Sequence, residues 1–188
     1  MSAKAVAIGA SAGAVEALSA ILPRLPARYR LPVLVVVHVP PDKTSALTEL
    51  FAAKCALPVR EPEDKAPVEP GAIYFAPPDY HLSVERDETF SLSNEEPQLF
   101  SRPSIDVLFE SAADAYGAGL IAVVLTGANH DGARGLQAVA QAGGIALVQD
   151  PAQAMAPTMP EAALAACPSA HVLPLDGVAT FLQGLSAP

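Results

Sequence analysis

Short, uninterrupted apolar runs alternate along this chain with stretches of helical spacing. Residues 5–8 (AVAI) end at Gly9, and residues 32–39 (PVLVVVHV) are β-branched and continuous. Both predict strands buried on two faces. Residues 73–76 (IYFA), 120–125 (LIAVVL) and 145–148 (IALV) predict further strands. Between them, residues 11–22 place Val15, Leu18, Ile21 and Leu22 on one helical face, with Pro23 as the stop. Helical spacing returns over 45–55. It returns again over 104–116, with Ser104 as N-cap and Ile105, Leu108, Phe109 and Ala112 as the apolar face. Helices are also predicted over 133–142, ending at Gly143-Gly144, and over 161–166 and 178–185. Residues 81–84 and 89–92 alternate around the acidic turn 85–88, a hairpin signal. The stretch 58–70, punctuated by Pro58, Pro62, Pro67 and Pro70, reads as a loop long enough to carry something extra. Strands alternating with helices predict an α/β fold, with a parallel sheet covered on both faces.

The size, 188 residues, fits one domain spanning 1–188. Hydrophobic residues make up 51% and charged residues 16%, which excludes global disorder. Aromatics are only 5% and Trp is absent, so Ala, Val, Leu and Ile must build the core. The formal charge of -9 gives no electrostatic reason to bind nucleic acid or an anionic membrane. No apolar run approaches a membrane span; the longest, 31–37, is broken by Pro32. The residues before Gly9 are too few for a signal-peptide core, so a cytoplasmic location is expected. Cys55 and Cys167 form no ligand pair and read as two ordinary buried thiols. Neither a metal nor a cofactor is expected.

In an open parallel sheet, functional residues gather at the carboxyl ends of the strands. Gly9-Ala10-Ser11-Ala12-Gly13 follows the first strand, His38 closes the second, and Thr126-Gly127-Ala128-Asn129-His130-Asp131-Gly132 follows 120–125. A serine, a histidine and an aspartate thus reach one sheet edge from three strands. Acyl transfer needs such a set: a nucleophile, a general base and a carboxylate to orient the base. Small residues flank Ser11 and permit a tight strand-to-helix turn, and the Ala12 amide is the natural oxyanion donor there. Other readings stand beside this one. The glycine-rich turn alone more often binds phosphate, although Ser11 and Ala14 occupy places where a dinucleotide fingerprint has glycine. Asp131 alone would cap the helix that follows it, and Asp106 would do the same in its own helix. His130 is a rival for the base, and Asp106 and Asp150 are rivals for the carboxylate, while His81 and His171 read as surface or loop residues. Arg102 and Arg134 are the only cations close in sequence to the motifs placed at this edge.

Three segments together resemble the catalytic domain of the chemotaxis protein-glutamate methylesterase family (CheB). They are Ile8-Gly9-Ala10-Ser11-Ala12-Gly13, His38-Val39-Pro40-Pro41, and residues 125–133 (LTGANHDGA). Residues 73–77 with Asp79 and His81, residues 102–109 (RPSIDVLF) and residues 159–163 (MPEAA) add to the match, in order over roughly 4–185. The resemblance implies a three-layer α/β/α fold with a mostly parallel, seven-stranded sheet. It implies a serine hydrolase with Ser11 as nucleophile, His38 as base and Asp131 as orienting carboxylate, and it places the Ala12 and Ala128 amides at the oxyanion. The implied substrate is the γ-glutamyl methyl ester on cytoplasmic helices of chemoreceptors, with glutamine deamidation in some members. Here Ala14, Ala12 and Ala128 stand where the family usually has Gly, often Thr, and Met. No receiver domain is evident, so the chain would act constitutively or under a separate response regulator. A catalytically weak copy serving as a binding module is the alternative.

Overall fold

The structure, a computed structural model, describes residues 2–38 and 46–185. The described residues build a seven-stranded sheet in the order β3-β4-β2-β1-β7-β8-β9, every pairing parallel. Its strands are β1 (Ala5–Ala10), β2 (Val33–Val37), β3 (Val59–Arg60), β4 (Ile73–Phe75), β7 (Leu120–Val124), β8 (Ile145–Gln149) and β9 (His171–Leu173). A separate antiparallel hairpin pairs β5 (His81–Val84) with β6 (Phe90–Ser93). The central strands β1, β2 and β7 are buried at every position, as unbroken apolar runs require.

Alternate strand residues serve opposite faces. Val6, Ile8, Val33 and Val35 pack with Leu18 and Ile21 of α1 (Ala14–Ile21), Phe51 of α2 (Ala46–Ala52) and Leu182 of α6 (Leu175–Gly184). Ala5, Ala7, Leu34 and Val36 pack on the other side. Their neighbours there are α3 (Ile105–Tyr116), α4 (Ala133–Gln141), α5 (Thr158–Ala166) and the hairpin residues Leu82, Val84 and Phe90. The result is three layers, α/β/α, as expected. The chain leaves β1 for β2 on one side and later returns to β7 on the other. The carboxyl end of β1 is therefore the point where strand order reverses, the usual place for a site in such sheets.

Several boundaries differ from the sequence expectation. The first helix starts at Ala14, because residues 11–13 form a turn. Pro23 does not stop it outright; it sits in the first turn of a short 3-10 helix, Leu22–Arg24. The stretch 58–70 is not a plain loop. Its residues 59–60 form the sheet-edge strand β3, and Pro67 bridges to Thr89 of the hairpin. β9, a segment to which the sequence pattern assigned no element, pairs with β8. Pro40, Pro41 and Ser45 lie outside the described residues. Cys167 is buried, while Cys55 is only half-buried, and both are free.

Candidate active site

Ser11 is the first residue past β1. Its N–H donates to the Thr126 carbonyl at 2.9 Å, and its own carbonyl accepts from Ala14 at 2.9 Å. Gly13 then turns the chain into α1 at φ +85°, a conformation that favours glycine. The Thr126 hydroxyl donates to the Ala12 carbonyl at 2.8 Å and fixes the turn from the β7 side. The Ala12 and Ala128 amides donate to no described residue, and both residues are exposed.

His38 is the first residue past β2, and its N–H donates to the Ala10 carbonyl at 3.2 Å. Ala10 and Val37 are register partners, so Ser11 and His38 are the next residues along two adjacent parallel strands. Both line one open cleft of about 570 Å³, together with Val15, Glu16, Lys54 and Met155.

Asp131 arrives from the loop after β7 and is fully buried. Its Oδ2 lies 2.7 Å from His38 Nε2 and accepts the Ile105 N–H at 2.7 Å. Its Oδ1 accepts the Ser104 hydroxyl at 3.0 Å and the Asp106 N–H at 2.9 Å. The alternative reading of Asp131, as the cap of the helix that follows it, does not hold. Gly132 is the N-cap of α4 and makes no side-chain cap, whereas Asp131 receives the free amides at the start of α3. Burial alone pushes the Asp131 carboxyl up. The hydrogen bonds from His38 and from the Asp106 and Ile105 amides, with the His38 charge, outweigh it and hold the pKa below the usual carboxylate range.

Asn129 makes a second contact to the imidazole. Its Nδ2 lies 3.2 Å from His38 Nδ1, and its Oδ1 accepts the Asp131 N–H at 3.0 Å. An amide NH2 can only donate, so Nδ1 is the accepting nitrogen and Nε2 carries the hydrogen given to Asp131. The nitrogen available to act as a base is Nδ1.

A family model described as CheB methylesterase matches residues 6–182. The chain belongs to the CheB methylesterase family. It is 43% identical, over 95% of its length and 93% of the relative's, to a Leptospira interrogans protein named provisionally as a protein-glutamate methylesterase/protein-glutamine glutaminase. A Trichodesmium erythraeum protein with that name is 36% identical over 93% of this chain, which spans only 50% of that relative. The crystal structure of the Thermotoga maritima CheB methylesterase catalytic domain superposes with TM-score 0.92 at 33% identity, covering 98% of this chain and all of that one.

Within this CheB fold, the other expected residues fall as follows. Asp106 is no simple cap of its own helix. It is buried, and its Oδ1 accepts the Gly132 and Gly135 amides at 3.1 and 2.7 Å, joining α3 to the start of α4. Burial raises its pKa to about 6, and the nearby Asp131 charge adds to the rise, against the Gly135 hydrogen bond. His81 is buried rather than on the surface. Its Nδ1 accepts the Ser104 N–H at 3.2 Å and its Nε2 lies 3.0 Å from the Glu96 carbonyl. His130 is exposed, and Asp150 caps a 3-10 turn through the Ala152 amide. Arg102 is held by Asp79 and Arg134 by Glu110, so neither is a free cation at the edge. Among the described residues, the cation lining the cleft is Lys54, which donates to the Ser19 hydroxyl at 3.2 Å. Sequence reasoning missed Lys54 because its segment lies far from every motif, and missed Asn129 because an Asn in a turn is ordinary. Among the described residues, no cluster of three or more His, Cys, Asp or Glu could hold a metal ion. No helix of theirs is long and apolar enough to cross a membrane.

Proposed function

We propose that this chain is a protein-glutamate methylesterase acting on methylated glutamate side chains in the cytoplasmic helices of chemoreceptors, with a separate response regulator as a further partner. The observation that carries the reading is the His38–Asp131 contact of 2.7 Å beside Ser11 in one cleft of a CheB-family chain. The names of the relatives supply the substrate class, although the chain spans about half of several of them.

In the proposed reaction, Ser11 Oγ attacks the ester carbonyl as its proton passes to His38 Nδ1. The oxyanion forms near the Ala12 and Ala128 amides. Buried, ionised Asp131 accepts from Nε2 and stabilises the imidazolium without taking its proton. Collapse returns the Nδ1 proton to the leaving methoxide, so methanol departs and a glutamyl ester of Ser11 remains. A water, deprotonated by Nδ1, attacks that ester. The proton goes back to Ser11 Oγ, and the product is glutamate. With a glutamine side chain the same steps release ammonia, which is the glutaminase activity in the relatives' names.

The test compares the wild-type chain with Ser11→Ala on a small neutral ester. The expected loss is on the order of 10⁴-fold or more, with the fold retained. Full activity in the variant would place the nucleophile elsewhere. A wild-type chain that binds receptor helices without hydrolysing any ester would be a binding module.

A further inference from the structure

We infer that Asn129 is a positioning residue, whose side-chain amide holds His38 Nδ1 unprotonated and ready to take the proton of Ser11. The inference rests on the methylesterase reading for the use of that proton, and on geometry for the rest. Asn129 is gripped at both ends: Oδ1 accepts the Asp131 N–H at 3.0 Å, which leaves Nδ2 aimed at His38 Nδ1 at 3.2 Å. The grip decides which end of the amide faces the ring. A rotated amide would offer its oxygen to Nδ1 and present a donor to the Asp131 N–H, so the observed orientation is the one both contacts support.

The consequence is a bias on protonation. Neutral Nδ1 gains a hydrogen bond from Asn129, whereas a protonated Nδ1 would set two donors face to face. Every other described group around the ring acts differently. Asp131, from the loop after β7, meets Nε2 and favours the imidazolium. Ser104 and the Ile105 and Asp106 amides, from the start of α3, are spent on Asp131, with the Asp106 carboxyl beyond them on the α4 amides. Glu16 of α1 and Lys54 beyond α2 line the cleft without a hydrogen bond to the ring. Asn129 is thus the described group that opposes the pull of Asp131. The neutral ring is the form that can accept the serine proton. When substrate seats Ser11 against Nδ1, the hydroxyl replaces the Asn129 amide at the same lone pair.

The experiment follows the ¹⁵N signals of the His38 ring by NMR across a pH series, without substrate, in wild type, Asn129→Asp and Asn129→Ala. Asn129→Asp keeps an oxygen for the Asp131 N–H but turns a carboxylate toward Nδ1. Asn129→Ala removes the donor outright. Wild type is expected to show a bare Nδ1 above its titration. The titration midpoint should rise by about half to one pH unit in Asn129→Ala, the size of one ordinary hydrogen bond, and by more in Asn129→Asp. The acid limb of the pH–rate profile on a small ester should move with it. Unchanged midpoints in the folded variants would overturn the inference, even if activity fell. A shift in the ring titration of a chain that hydrolyses no ester would leave the Asn129 role standing and remove the methylesterase reading instead.

Discussion

Two buried carboxylates sit at the starts of two neighbouring helices and behave in opposite ways. Asp131 receives the first amides of α3, the Ser104 hydroxyl and His38, and its pKa is held down despite complete burial. Asp106 receives two amides of α4 on a single oxygen, and its pKa is raised to about 6. Both sit at a positive helix end, so the helix dipole does not separate them. The number of donors does, together with the charge each one faces: Asp131 faces an imidazole, and Asp106 faces Asp131. A carboxylate meant to orient a histidine has to stay ionised, and four donors on two oxygens achieve that.

The comparison breaks most severely at Asp131. Asp131→Asn would present an amide NH2 to Nε2 or to the Ile105 amide, favouring the wrong tautomer. Ester hydrolysis should fall by roughly 10³- to 10⁴-fold, read as kcat/KM on a neutral ester. At Asp106 the readout is stability. A carboxyl whose folded pKa is raised contributes most below its unfolded value, near pH 4, and that contribution is lost as pH rises through about 6. Asp131, shifted the other way, stabilises above its unfolded value and loses that contribution as pH falls. Asp106→Asn should therefore flatten the decline in urea midpoint between about pH 4 and pH 6 that belongs to this group. An unchanged slope would show that Asp106 is not titrating there. The smallest effect belongs to Ser104→Ala, which removes one donor from Asp131 and the N-cap of α3, whose hydroxyl accepts from Val107. The expected cost is about 1–2 kcal/mol by denaturant unfolding, with the pH slope of Asp106 intact.

The central strands were legible because burial on both faces leaves an unbroken apolar run, as in residues 5–8 and 120–125. β3 and β9 were not, since two or three residues of edge strand beside Pro58 or Pro174 carry no periodicity. Ser11, His38 and Asp131 could be collected from the sequence because each follows the carboxyl end of a strand, and those ends share an edge. The partners of Asp131 could not be collected in that way. Ser104 shows itself as an N-cap, but nothing in its neighbours says that the amides behind it face a carboxylate 27 positions away in the chain. His81 misled for the same reason: its burial depends on Ser104 and Glu96, which only the folded chain brings to it.

The most direct measurement is methanol release from methylated receptor helices, with the wild-type chain and Ser11→Ala assayed side by side. Release by the wild type that disappears in the variant, with glutamate appearing at the former ester, is the predicted result. Equal release by both chains, or none by either from a folded protein, would contradict it.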